Sequence, residues 1–355
     1  MLKSKCLGHG LSLRSNAYVC DCGAAGANGR RKRLIQKLFS RAETNRLELL
    51  KNALQEILAC PECRSRLDLN PTGESLRCIG CASEFPMVEG IPNFMRRSSG
   101  PQEEEKRFRN AAANDQLRRG TQDLLGVAGR HHCLSVMAAH TRSFRKQFSM
   151  NKWLLDIGTG YAWPWMDDSE GAPILAIDIS MGNLLLAKRL LGESSSVVLL
   201  CADAARLPLA DGTISGVWSA QTFQHFPEPT FRQAQGELDR VLKEVFLLEF
   251  HHLHPAPLYR ILCRLRGRQL HLKGRCGPFE TNRFSLFEWR ARWAGFREGQ
   301  PEISCAYSEL FFHPEMGLRP RPYPVGLERW IVSHVPALAG MIARQGVLRV
   351  ETALS

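Results

Sequence analysis

An α/β fold, with a mostly parallel sheet covered by helices on both faces and a small cysteine-bound ribbon ahead of it, follows from three observations. From Trp153 onward, short apolar strands alternate with helical stretches, the pattern of a parallel sheet wrapped by helices. The first two of those strands carry an acid, two glycines spaced by one, and a second acid twenty residues beyond the first glycine. Near the N-terminus, two Cys-x-x-Cys pairs stand fourteen residues apart.

A chain of 355 residues holds about two folding units at roughly 150 residues each. Hydrophobic residues at 44% and charged residues at 23% are ordinary for a globular protein, so the core needs no covalent staples. No apolar run reaches the eighteen or so residues that a membrane span requires, and Met1 to Cys20 lacks the continuous apolar stretch of a secretory signal. Twelve cysteines without such a signal, four of them in metal-type pairs, point to a reducing, cytoplasmic setting. The net charge of +12 is unevenly placed, because residues 1–50 hold ten Lys and Arg against three acids. A second basic run, Arg260, Arg264, Arg266, Arg268, Lys273 and Arg275, contains no acid.

Residues 1–46 read as a basic, disordered tail. Leu47, Leu50, Ala53, Leu54 and Leu58 recur at helical spacing and lead into a ribbon, the unit spanning 47–97. Ser98 to Glu105 reads as a linker and Lys106 to Phe148 as mostly helical, together a lead-in over 98–150. The main domain, 151–351, has strands predicted at Trp153–Ile157, Ile174–Ile177, Val197–Leu200, Gly216–Ser219 and Val245–Phe250.

Cys60-Pro-Glu-Cys63 and Cys78-Ile-Gly-Cys81 are two tight turns whose four thiolates can surround one tetrahedral zinc. Four protein ligands leave no open position, so the metal is structural. With Leu58-Ala before the first pair and Phe85-Pro-Met-Val-Glu-Gly90-Ile-Pro92 after the second, the segment resembles the Trm112-like zinc ribbons. That resemblance implies a module that works with methyltransferases of RNA or translation proteins.

In Trp153-Leu-Leu-Asp156-Ile-Gly158-Thr-Gly160 a strand ends in an acid and a glycine turn, where open parallel sheets bind ligands. Asp178 tips the next strand, from which a carboxylate can accept ribose hydroxyls. Trp163 stands where a dinucleotide fingerprint has its third glycine, and Asp156 would repel a pyrophosphate. A sulfonium ligand with a free ammonium group would instead be attracted.

Over about a hundred residues this text resembles the class I S-adenosylmethionine (SAM)-dependent methyltransferases of the type 11 kind, which implies a Rossmann-like seven-stranded sheet and SAM as cofactor. Asp156, Gly158, Gly160 and Asp178 match the glycine loop and ribose acid. Cys201-Ala-Asp203 looks like the third-strand motif whose acid meets adenine, and Gly216 through Gln221 and His225 looks like the fourth-strand motif beside the methyl group. The departures are Ala162 for the usual third glycine, Trp163-Pro164-Trp165 opening the first helix, and no Pro-Gly-Gly turn between Lys243 and Glu244.

Methyl transfer needs the acceptor lined up behind the sulfonium, so positioning carries much of the catalysis and a base is optional. His225 is the candidate base, with a packing histidine as the plainer alternative. His251, His252 and His254 follow the fifth predicted strand and suit the substrate mouth or the surface, while Trp163, Trp165 and Phe223 suit either stacking or core packing. The expected partner is a methyl acceptor, small molecule or RNA, for which the 260–275 basic run would favour an anion.

Overall fold

The computed structural model describes residues 47–95, 101–119, 137, 140–160, 171–191, 196–243, 246–253, 257–265, 267, 274–276, 279–296, 302–311, 313 and 324–351. The expected tail, Trp163, Trp165, Ala162 and His254 lie outside them.

Helix α1, residues 47–56, buries Leu50, Ala53 and Leu54, the face its spacing predicts. The ribbon that follows is a four-stranded antiparallel sheet in chain order: β1 (Leu67–Leu69), β2 (Ser75–Cys78), β3 (Glu84–Val88) and β4 (Ile91–Pro92). Helix α2, Pro101–Arg119, corrects the reading of Ser98–Glu105 as a linker. Proline tolerates a first helical position because its missing N–H would find no partner there, and Glu103 and Glu104 sit in the first turn, where the helix dipole favours acids. A proline that looks like a breaker in sequence is here a helix start.

The main sheet has seven strands. They are β5 (Leu154–Ile157), β6 (Ile174–Asp178), β7 (Val197–Cys201), β8 (Gly216–Ala220), β9 (Phe246–His252), β12 (Glu302–Ser308) and β13 (Gln345–Glu351), in the spatial order β12-β13-β9-β8-β5-β6-β7. Only β13 runs against its neighbours β9 and β12. Every residue of β5, β6, β7 and β8 is buried, as expected of parallel strands covered on both faces. Chain order reverses between β5 and β8, which opens the crevice where such sheets bind ligands.

Alternate residues of the strands divide between two cores. Leu155, Ile157, Leu175, Ile177 and Val217 face one, with α1, the ribbon, α4 (Glu228–Val241) and α6 (Leu286–Trp293). Leu154, Ile174, Ala176, Val197 and Trp218 face the other, with Phe144 and α3 (Met181–Leu190). The ribbon therefore shares the first core instead of hanging from a linker. Its backbone also joins the domain, pairing Leu58 with Leu209 and Asn93 with Cys201. Trp153 Nε1 donates to Glu56 Oε2 at 2.7 Å.

Two expectations are adjusted. His251 and His252 do not follow the fifth strand but lie in β9, whose pairing with β13 continues through His251↔Gly346 and His252↔Gln345. Phe223 is fully buried against Phe231 and Trp293, with ring centroids 5.8 and 5.6 Å away, so it belongs to the core and not to a stacking surface. The remaining described elements are α5 (Pro257–Leu265), the hairpin β10 (Gly274–Cys276) and β11 (Phe279–Thr281), α7 (Val325–His334) and α8 (Pro336–Ile342).

Candidate functional site

The predicted glycines sit at the carboxyl end of β5. Gly158 and Gly160 have φ of +71° and +60°, a left-handed backbone that glycine adopts freely. A Cβ on Gly158 would fall 2.1 Å from Thr222 Oγ1, so close packing as well as backbone conformation excludes a side chain there. The amides of Gly158 and Thr159 both donate to Ile177 O, at 2.9 and 3.0 Å, turning the loop back over β6.

Asp178, at the tip of β6, fastens that loop. Its Oδ2 accepts from Gly160 N at 2.9 Å and its Oδ1 from Ser180 N at 2.8 Å. Burial raises its pKa, opposed by the Ser180 amide, the Arg109 charge, the Gly160 amide and the Asn183 side chain. Asn183 Nδ2 also approaches both oxygens, at 3.4 Å from Oδ1 and 3.5 Å from Oδ2.

Asp156 is different. It is buried, and neither of its oxygens has a hydrogen-bond partner, while the nearby Thr159 hydroxyl stops short of bonding. Burial pushes its pKa well above the usual carboxylate range, with Thr159 opposing and the Asp178 charge reinforcing the shift. A buried carboxyl group without a partner is costly to keep and suits a cation that arrives with a ligand.

Asp203 lies just beyond β7, half-buried, with Oδ1 accepting from Ala205 N at 2.9 Å. Gln221 follows β8 with φ of +60°, uncommon for a residue with a side chain, and its amide donates to Phe250 O at 2.8 Å. His225 closes a short 3-10 turn, Phe223–His225, with Nδ1 3.8 Å from Glu105 Oε1. Burial, then the Arg109 charge, lowers its pKa to about 4 against the pull of Glu105, so the imidazole is neutral at pH 7. Asp156, Gly158, Gly160, Asp178, Asp203, Gln221 and His225 thus all lie at or just past the carboxyl ends of four neighbouring parallel strands.

Helix α2 also reaches this end of the sheet, which the sequence reading missed by treating its first turn as linker. Asn110 Oδ1 accepts from Ser180 Oγ at 2.8 Å and from Gly182 N at 2.9 Å. Arg109 bonds Glu105 Oε1 through Nε and Nη2, at 2.9 and 2.6 Å. The only signal in the sequence was the i, i+4 spacing of Glu105 and Arg109 on a stretch that begins Pro-Gln-Glu.

The four ribbon cysteines converge, with all sulfurs within 4.8 Å of one another. Cys60 and Cys81 sulfurs are 3.7 Å apart and those of Cys63 and Cys78 3.3 Å, against the edge of about 3.8 Å set by Zn–S bonds of about 2.3 Å in a tetrahedron. The two turns match bond for bond. Cys60 N donates to Ser65 O and Cys78 N to Ser83 O, both at 2.9 Å, while Glu62 N and Gly80 N each approach the first sulfur of their pair at 3.4 Å. Arg64 and Ala82, one after each pair, both take positive φ, 65° and 57°. As thiols the four differ: hydrogen bonds from the Ser65 side chain and backbone bring Cys63 down to about 6, whereas burial pushes Cys60 up to about 12. This donor set fits a closed zinc site.

Of the basic run, Arg260 is half-buried and Arg264 exposed on α5, and the side chains of the others lie outside the described residues. None of the described helices is long and apolar enough to cross a membrane.

Comparison with known proteins matches two segments of the chain. Residues 155–245 match the family described as methyltransferase domain, and residues 51–90 match Trm112p-like protein. The chain is 34% identical over 173 residues to a malonyl-[acyl-carrier protein] O-methyltransferase of Methylovorus, covering 45% of this chain and 54% of that enzyme. It thus spans about half the length of that relative. It is 35% identical over 48 residues to a UPF0434 protein of Shewanella denitrificans, covering 14% of this chain and 86% of that protein. Among solved structures, a complex between the Haloferax volcanii Trm112 methyltransferase activator and the putative methyltransferase aligns with a TM-score of 0.43 at 15% identity, over 69% of this chain and 98% of that chain. Fold and family together define a class I methyltransferase domain joined to a Trm112-like ribbon. Through the ribbon, the chain belongs to the family of the UPF0434 proteins.

Proposed function

We propose that this chain is a SAM-dependent methyltransferase whose zinc ribbon is structural and whose acceptor is a small or carrier-borne molecule with an acidic group. The observation that carries the cofactor reading is Asp156, a buried carboxyl group lacking a hydrogen-bond partner beneath a glycine turn fastened by Asp178. When bound, SAM supplies a methyl group made electrophilic by its sulfonium. Asp156 would neutralise the ammonium, Asp178 would accept from the ribose hydroxyls, and Asp203 would receive the adenine amino group. Gln221, held in its strained backbone, would border the methyl end. His225, neutral in the fold, would orient the acceptor or take its proton, a weak base whose value is position more than basicity.

The relative that acts on a malonyl group supports an acidic acceptor, and the exposed Arg264 on α5 suits one. Seven cysteines among the described residues, all outside any disulfide, suit a reducing compartment such as the cytoplasm. The working division of the chain is 1–46, 47–97, 98–150 and 151–351, with α2 as an ordered part of the third segment.

Calorimetry with SAM tests the cofactor. Wild-type protein should bind it, and Asp178→Ala should bind at least tenfold more weakly, as expected when a buried carboxylate that takes several hydrogen bonds is removed. Equal binding by both proteins would remove Asp178 from the site. Transfer of a tritiated methyl group from SAM into fractionated extract identifies the acceptor. Label in RNA would overturn the small-molecule reading.

A further inference from the structure

We infer that the first cysteine turn of the ribbon is a clamp on the loop that carries Asp203, so that zinc at the ribbon and SAM at the sheet bind cooperatively. The inference rests on the SAM reading above and extends it to residues far from the transferred methyl.

The loop between β7 and Asp211 is held from two sides, by the ribbon and by α4, whose Arg240 donates to Leu207 O and Leu209 O and pairs with Asp211. At its start, Cys201 O accepts from Phe94 N at 2.8 Å. At its end, Pro208 O accepts from Ala59 N at 3.0 Å and Ala210 N donates to Ile57 O at 2.8 Å. Between these points, residues inside and beside the Cys60–Cys63 turn hold the loop on the ribbon side. Arg206 Nε donates to Pro61 O at 3.2 Å, and its Nη2 forms an ion pair with Glu62. Arg64 Nη1 donates to Leu207 O at 2.7 Å, and its Nη2 reaches Glu237 Oε1 at 2.9 Å. Glu237 completes the circuit by accepting from Leu207 N through Oε2 at 2.7 Å.

Asp203 is built into the same turn. Its carboxylate accepts from Ala205 N at 2.9 Å and its carbonyl from Arg206 N at 3.0 Å, so the residue that grips the ribbon also sets the bend that aims Asp203. Pro61 and Glu62 stand between two metal ligands, and Arg64 follows the second in a left-handed conformation. A metal that closes Cys60 onto Cys63 therefore fixes the carbonyl and carboxylate that Arg206 binds. Loss of the metal frees them, and the Asp203 bend loses its anchor on the ribbon side.

Coupling of this kind is reciprocal: whatever zinc adds to SAM affinity, SAM adds to zinc retention. In the full-length, zinc-loaded protein, Arg206→Ala should weaken SAM binding about fivefold, the lower end for coupled sites, with zinc content and thermal midpoint unchanged. In the wild type, saturating SAM should slow zinc release to a coloured chelator by a similar factor, and in Arg206→Ala it should not. A residue that merely stabilised the fold would leave that difference intact. If wild-type protein binds SAM but SAM has no effect on its zinc release, the clamp is refuted whatever the variant does. If wild-type protein binds no SAM at all, the cofactor assignment itself fails, and the clamp with it.

Discussion

At the scale of single residues, the site is marked by groups that the fold does not satisfy. Asp156 is the clearest, since burial favours its neutral form and no donor reaches it. Its folded pKa lies above the unfolded one, so the stability tied to its proton is present below the usual carboxylate pKa and is lost as the pH rises through the folded value. At neutral pH the carboxylate thus weighs against the fold. Asp156→Asn should raise the thermal midpoint of the ligand-free protein, by about 1 kcal/mol in stability once the amide's own desolvation is deducted, while weakening SAM binding tenfold or more. A variant that lost stability without losing SAM would make Asp156 a structural acid. His225 runs the opposite way. Its pKa falls from 6.5 to about 4 on folding, so its share of stability is complete above pH 6.5 and drains away toward pH 4. The full effect is on the order of 3 kcal/mol. Urea titrations over that range should show a steep acid loss in the wild type and a shallower one in His225→Asn.

At the scale of elements, the glycine turn and its acids were legible because each has a local cause. An apolar strand, an acid and glycines with positive φ must stand next to one another in sequence, and Asp178 follows twenty residues after Gly158 at the tip of the next strand. Gly158→Ala should be costly on both counts, a left-handed backbone and a Cβ driven into Thr222, together about 2 kcal/mol or more. Chemical denaturation would measure that loss, and an unperturbed midpoint would mean that the turn relaxes freely. The cysteine turns were equally readable, since metal-ligand spacing is also local. What sequence reasoning missed was placement. Nothing in Pro101 to Arg119 announces that Asn110 will receive Ser180 and Gly182, because that contact joins segments about seventy residues apart. The prolines and glutamates that suggested a linker are ordinary residues for a helix start. His251 and His252 were misplaced for a similar reason: β9 extends over them only because β13, almost a hundred residues later, supplies the partner backbone.

At the scale of the whole molecule, the ribbon behaves as a face of the main domain. Leu50, Leu54, Ile57, Leu58, Phe85 and Phe94 lie in one continuous core with Trp153, Leu207, Leu209 and Val217. Burying a large apolar side chain is worth roughly 1.5–3 kcal/mol, so even half of that for each of the six approaches the total stability of a typical domain, about 5–15 kcal/mol. The bridges Leu58–Leu209 and Asn93–Cys201 add backbone pairing between the ribbon and the main domain. Unfolding should therefore be one event. Calorimetric melting of the full chain should show a single transition, and removal of zinc by a chelator should move that whole transition downward instead of splitting off an early ribbon peak. Residues 98–355 expressed alone should be insoluble or should expose apolar surface to a hydrophobic dye, since the side chains that cover Leu207 and Leu209 would be gone. A soluble fragment that melts at the full-length temperature would show the ribbon to be an appendage, with no part in the stability of the sheet.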